Sequence, residues 1–72
     1  SDKRLKENIK KTGTSPSGIP IYEFSYLGDK KVYSGVMAQD LLELGKEDSV
    51  NEVDGYYTVN YSNIDVDMHL IK

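Results

Sequence analysis

Asp54-Gly55 is the pair that most limits what this chain can become. It lies between Val50-Asn51-Glu52-Val53 and Tyr56-Tyr57-Thr58-Val59, two runs rich in β-branched and aromatic residues. A two-residue connection with positive φ at both positions turns with the natural twist of paired strands, and Asp-Gly tolerates that backbone well. The pair therefore predicts a β-hairpin over residues 50–59.

A second hairpin is expected upstream. Ile19-Pro20-Ile21-Tyr22-Glu23-Phe24-Ser25-Tyr26 alternates so that Tyr22, Phe24 and Tyr26 share one face. Pro20 has no N–H to give to a ladder, so the strand starts there or lies at a sheet edge. Leu27-Gly28-Asp29-Lys30 supplies a turn, and Lys31 to Val36 returns. Between the hairpins, Met37 to Leu44 is built of helix formers and stops at Gly45, with Met37, Leu41 and Leu44 on one face. So short a helix must be held by packing. Thr12 to Gly18 reads as a loop and Gly45 to Ser49 as a polar connection. At the far end Ser62 is placed to cap a helix, with Asp65 in the capping-box position. Ile64, Met68 and Ile71 would form its apolar stripe, with Tyr61 behind them. The expected fold is α+β: one domain, 1–72, of two β-hairpins and two short helices.

A chain of 72 residues buries only about 60% of the surface its unfolded form exposes. The apolar supply is 17 Ile, Leu and Val residues with one Phe and two Met. With no Cys and one His, neither a disulfide nor a structural zinc can brace so small a core. Association with further copies is the remaining remedy, so a multimer is expected. No run approaches the roughly 20 apolar residues of a membrane span, and no leader segment is visible. A start on Ser1 implies either an arbitrary boundary or a processed N-terminus.

Charge divides the chain unevenly. Residues 1–11 hold five Lys or Arg against two Asp or Glu, net +3, while residues 12–72 hold four against ten, net −6. An acidic body argues against general nucleic-acid binding, which needs a basic face. The basic stretch itself admits a short helical turn, with Leu5 and Ile9 on one side, or a strand start at Asn8-Ile9-Lys10-Lys11.

Chemical motifs are few. No phosphate-binding glycine loop, zinc-protease helix, serine-hydrolase elbow or cysteine nucleophile is present, and no cofactor motif. His69 has no partner set and reads as packed or solvated. Glu47, Asp48, Glu52 and Asp54 lack the spacing of a calcium loop and read as solvated charge. Ser1 with Lys6 is the one pair with the chemistry of a nucleophile and a base. A serine hydroxyl reacts only when a base takes its proton, and a lysine can do so only when desolvation or neighbouring positive charge lowers its pKa. On an ideal helix residues five apart lie about 140° around the axis. The chain would therefore have to bend, or the lysine would have to come from a neighbouring subunit.

Four motifs in order carry a family resemblance: Ser1-Asp2-Lys3-Arg4-Leu5-Lys6-Glu7-Asn8-Ile9, the aromatic strand Tyr22 to Tyr26, Gly35-Val36-Met37-Ala38-Gln39-Asp40, and Asp54-Gly55-Tyr56-Tyr57-Thr58-Val59-Asn60-Tyr61. The chain resembles the intramolecular chaperone auto-processing domains at the C-termini of phage tail spikes, tail fibres and neck appendages. That resemblance implies an intertwined homotrimer whose partner is the upstream fibre segment of the same polypeptide, with no nucleic acid, membrane or cofactor involved. It implies autoproteolysis at the bond preceding Ser1, with Ser1 as nucleophile and Lys6 as general base, in the host cytoplasm during virion assembly. On that reading a chain beginning at Ser1 looks like the released product. Two other readings share the residues: a trimerisation cap that is never cut, and a receptor- or glycan-binding tip using Tyr22, Tyr26, Tyr33 and Tyr56.

Overall fold

Both expected hairpins form. In the computed structural model, which describes residues 1–72, β4 (Val50–Val53) and β5 (Tyr56–Val59) pair antiparallel with Val53 opposite Tyr56. Asp54 and Gly55 between them have φ of 53° and 84°, the two positive values this tight turn demands. The other sheet has four strands in the order β1-β2-β3-β6. Its centre is the aromatic hairpin of β2 (Pro20–Tyr26) and β3 (Tyr33–Gly35), with Phe24 opposite Tyr33. Pro20 is the first residue of β2, where its missing N–H costs no ladder bond.

The basic arm takes both of the forms open to it. A single 3-10 turn, Lys3–Leu5, leads into the edge strand β1 (Lys6–Thr14). Lys6 pairs with Tyr26 at one end of β1 and Thr14 with Pro20 at the other, with irregularities between Glu7 and Lys10 and between Lys11 and Gly13. At the first of these Asn8 carries a φ of 55°. An extra residue there lets Lys6 face the core while the rest of the strand, Ile9 apart, faces water. The loop expected from Thr12 is shorter than its composition suggests. Thr12, Gly13 and Thr14 stay in the strand, and the turn is closed by buried Ser15, whose N–H reaches the Ile19 carbonyl at 2.8 Å and whose Oγ accepts the Ile19 N–H at 3.1 Å.

One helix forms rather than two. α1 (Ala38–Glu43) buries Ala38 and Leu41 and ends as expected. The Lys46 N–H reaches the Leu41 carbonyl, the Gly45 N–H reaches that of Leu42, and Gly45 holds a φ of 75°. Leu44 is the capping residue and is 47% exposed, so the expected apolar face is Met37 and Leu41 without it.

The expected terminal helix is absent. Asn60, not Ser62, caps a single 3-10 turn (Tyr61–Asn63), and the chain then runs extended into β6 (His69–Leu70), which pairs with β3. Asp65 is not in a capping box. Its carboxylate accepts from the Ser17 N–H at 2.9 Å and the Ser17 hydroxyl at 2.8 Å. The reason lies in Ile64-Asp65-Val66-Asp67-Met68, where apolar and polar residues strictly alternate. Ile64 and Met68 are half-buried and Val66 buried, while both aspartates are exposed. A period of two outweighs the weaker helical spacing of Ile64, Met68 and Ile71.

The core is small: Ile19, Val36, Leu41 and Val66, flanked by Ile21, Val50, Val59, Tyr61 and Ile64. The exposed surface, 4488 Å², matches the roughly 4500 Å² that a lone folded chain of this mass is expected to show. No helix is long and apolar enough to cross a membrane.

Candidate functional site

The two buried charged side chains, Asp2 and Lys6, both lie in the first six residues. Asp2 is fully buried, an environment a carboxylate tolerates only when its oxygens are paired. Its Oδ1 accepts from the Arg4 N–H at 2.9 Å, Arg4 Nε at 3.1 Å and Gln39 Nε2 at 2.8 Å. Its Oδ2 accepts from Arg4 Nη2 at 2.7 Å and the Tyr57 N–H at 2.8 Å. The Arg4 guanidinium, first, and these further donors hold the Asp2 carboxyl well below the usual carboxylate range, against the opposing effect of burial. Arg4 also donates to the Gly55 carbonyl at 2.9 Å, with its guanidinium carbon 4.9 Å from the centre of the Tyr56 ring. The Asp54-Gly55 turn is thereby tied to the N-terminus.

The start of α1 holds the same segment from the other side. The Ala38 N–H, unpaired within so short a helix, donates to the Ser1 carbonyl at 2.7 Å. Gln39 bridges two residues, donating from Nε2 to Asp2 and accepting the Lys3 N–H on Oε1 at 3.0 Å. Next along, Asp40 accepts from the Tyr22 hydroxyl at 2.7 Å. Burial, then the bond to Asp40, pushes the Tyr22 phenol up to about 12.

The 3-10 turn at Lys3–Leu5 supplies the bend that five-residue spacing requires. It folds Lys6 of the same chain back beneath Ser1 and Asp2. Lys6 is 6% exposed, and its Nζ donates to the Asp2 carbonyl at 3.2 Å. It stands 4.8 Å from the centre of the Phe24 ring and 5.1 Å from that of Tyr26. Those rings belong to a cluster in which Tyr26 and Tyr33 meet edge to face at 5.3 Å. Burial lowers the Lys6 pKa, opposed by hydrogen bonding to the Ser1 amine and by the Asp2 charge. The Ser1 amine, in turn, is pushed down to about 5 by burial first and then by Lys6 beside it.

The Ser1 hydroxyl has a different neighbour. Its Oγ is 2.8 Å from the Tyr61 hydroxyl, which also accepts the Val36 N–H at 3.1 Å. Gly35 makes room for this contact, because a Cβ there would lie 2.7 Å from the Tyr61 oxygen.

Lys6 is therefore brought beside the Ser1 amine and is desolvated, while the Ser1 hydroxyl meets Tyr61. His69 joins neither of them. It is exposed on β6 opposite Ser34. Sequence reasoning assigned no role to Asp2, Arg4, Gln39, Gly35 or Tyr61. The available signal was that all five sit inside the ordered motifs, each a short pattern whose members meet here. Tyr61 was hidden further by its expected place behind a helix that does not form.

The sequence model of a peptidase-class family described as chaperone of endosialidase matches residues 1–54, three-quarters of the chain. No curated protein and no solved structure matches it. The matched stretch contains Ser1, Asp2, Arg4, Lys6, Gly35 and Gln39, the residues that build most of this buried cluster, and the chain belongs to the chaperone of endosialidase family.

Proposed function

We propose that this chain is a C-terminal intramolecular chaperone that drives trimerisation and folding of a phage tail fibre or spike, then releases itself by cutting the bond preceding Ser1. Ser1 is the nucleophile and Lys6 the general base. The observation that carries this is the setting of Lys6: a buried side-chain amine beside the Ser1 nitrogen, desolvated, with a backbone carbonyl and two ring faces around it and no carboxylate ion pair to hold it charged. The nearest carboxylate, Asp2, is taken up by Arg4.

In the precursor the Ser1 nitrogen is the amide of the scissile bond. The Ser1 hydroxyl attacks the preceding carbonyl carbon while its proton passes to Lys6. The C–N bond then breaks, and the proton returns from Lys6 to the departing Ser1 nitrogen. The acyl ester left on Oγ is hydrolysed by water, which frees the hydroxyl. Attack within one residue needs no encounter, which is worth several kcal/mol of barrier at about the scale of other intramolecular reactions. Lys6 is desolvated only when the Phe24–Tyr26 hairpin is in place, and Asp2 is satisfied only when α1 and the Asp54-Gly55 turn are docked. Cleavage therefore waits for a folded domain, and severing the tether makes loss of the fibre fold a kinetic rather than an equilibrium matter. The setting is the host cytoplasm during virion assembly.

The test is expression with the native upstream segment, followed by intact-mass analysis and native sizing. An 8.1 kDa fragment starting at Ser1, lost in Ser1→Ala and in Lys6→Met while the trimer persists, is the expected result. A trimer that never releases the fragment would instead make the domain an uncut cap.

A further inference from the structure

We infer that Tyr61 positions the Ser1 hydroxyl for reaction, by donating its phenolic hydrogen to Ser1 Oγ from a seat built by Gly35 and Val36. The inference rests on the self-cleavage reading above. It also goes beyond the family match, which ends at Asp54 and does not reach Tyr61.

Hydrogen bookkeeping permits this direction of the bond, either oxygen being able to donate, and the proposed reaction selects it. The Val36 N–H can only donate, so the Tyr61 oxygen accepts it at 3.1 Å. The phenol keeps one hydrogen of its own, and Ser1 Oγ at 2.8 Å is the acceptor within reach. A serine oxygen that accepts this bond has one lone pair fixed. Its own proton and its other lone pair remain free, the first for Lys6 and the second for the carbonyl carbon. The same donated bond steadies the negative charge that grows on Oγ as its proton leaves.

The surroundings show a made place rather than a chance contact. The Tyr61 ring packs against the core of Ile19, Val36, Leu41 and Val66, which fixes the phenol axis. A side chain at position 35 would intrude, since a Cβ there falls 2.7 Å from the phenolic oxygen, 3.4 Å from Met68 Cγ and 3.5 Å from Phe24 Cε2. Tyr61 itself opens the 3-10 turn capped by Asn60, whose Oδ1 accepts the Ser62 N–H. Three separate stretches of chain thus cooperate to put one hydroxyl against Ser1.

Two variants act on the hydrogen bond in different ways. Tyr61→Phe keeps the ring and removes the hydroxyl. Gly35→Ala keeps the hydroxyl and displaces it. In the precursor with its native upstream segment, each should slow cleavage roughly ten- to hundredfold, measured well below its own unfolding midpoint. A second readout is independent of cleavage. In the chain beginning at Ser1, periodate oxidises the adjacent amine and hydroxyl to a glyoxylyl terminus, which is followed by mass. With the hydroxyl released from Tyr61, Tyr61→Phe should oxidise severalfold faster than wild type, a change that a purely packing role for the ring would not produce. Wild-type cleavage and oxidation rates in Tyr61→Phe would overturn the assignment alone. A wild-type precursor that is never cut would overturn the self-cleavage reading and this assignment with it.

Discussion

The two ends of the chain are held in opposite ways. Residues 1–6 are fastened by polar groups: a buried carboxylate with five donors, a helix N–H on the Ser1 carbonyl, and a buried lysine on the Asp2 carbonyl. Residues 64–72 are fastened mainly by one buried valine, by the Asp65 bonds to Ser17, and by edge pairing of β6 to β3. The first arrangement fails if any partner is missing, because a buried charge stripped of its donors is costly. The second loses stability in small steps. On the proposed reaction, polar wiring belongs to the end that carries the chemistry and apolar alternation to the end that completes the four-stranded sheet.

Breaking the wired end should have the largest effect. Asp2→Ala leaves Arg4, Gln39 and the Tyr57 N–H without their acceptor, and should cost about 3 kcal/mol in denaturant unfolding of the isolated chain. At the other end, Val66→Ala removes a 7% exposed side chain from the core and should cost about 1–2 kcal/mol. A loss as large as that of Asp2→Ala would erase the contrast.

Acidity sharpens the comparison, because the N-terminal end holds a perturbed amine and a buried carboxyl, whereas residues 64–72 hold one exposed carboxyl, Asp65, lowered by its bonds from Ser17. The Ser1 amine is pushed down to about 5 from its ordinary 8.0. Between those values the unfolded chain binds a proton that the folded chain refuses, so stability should fall as pH falls from 8 to 5. N-acetylation, which leaves no group to titrate, should flatten that part of the melting-temperature profile. The depressed Asp2 carboxyl acts lower, where its contribution is lost as pH falls below the ordinary 3.8 towards the folded-state value. Smallest of all, Ile71→Ala changes a residue 40% exposed and should shift stability by less than about 0.5 kcal/mol. A terminal helix with Ile71 in its stripe would give a much larger loss, so this variant also tests the extended path of residues 64–72.

The difference between the ends also explains what could be read from the sequence. Turn chemistry was legible: Asp54-Gly55 and Gly45 each hold the positive φ their composition implied. The aromatic hairpin was legible from its alternation. The β1–β2 hairpin was not, because Thr12 to Gly18 has the composition of a loop although its first half is strand. The terminal segment offered two periods at once, and Val66, the residue that decides between them, has no place in the helical stripe. The site was visible as a family pattern and invisible to spacing. The bend that joins Ser1 to Lys6 is a single 3-10 turn between Asp2 and Lys6, too short to leave a periodic trace.

The grip on Ser1 and Asp2 also has a kinetic meaning. Under the proposed reaction these residues are the newly made N-terminus, and they remain moored by Ala38, Gln39, Arg4 and Tyr57 after the bond is cut. A site that never lets go of its own product has no room for another molecule's peptide. On that reaction it would behave as a fuse rather than a valve, spent once per chain.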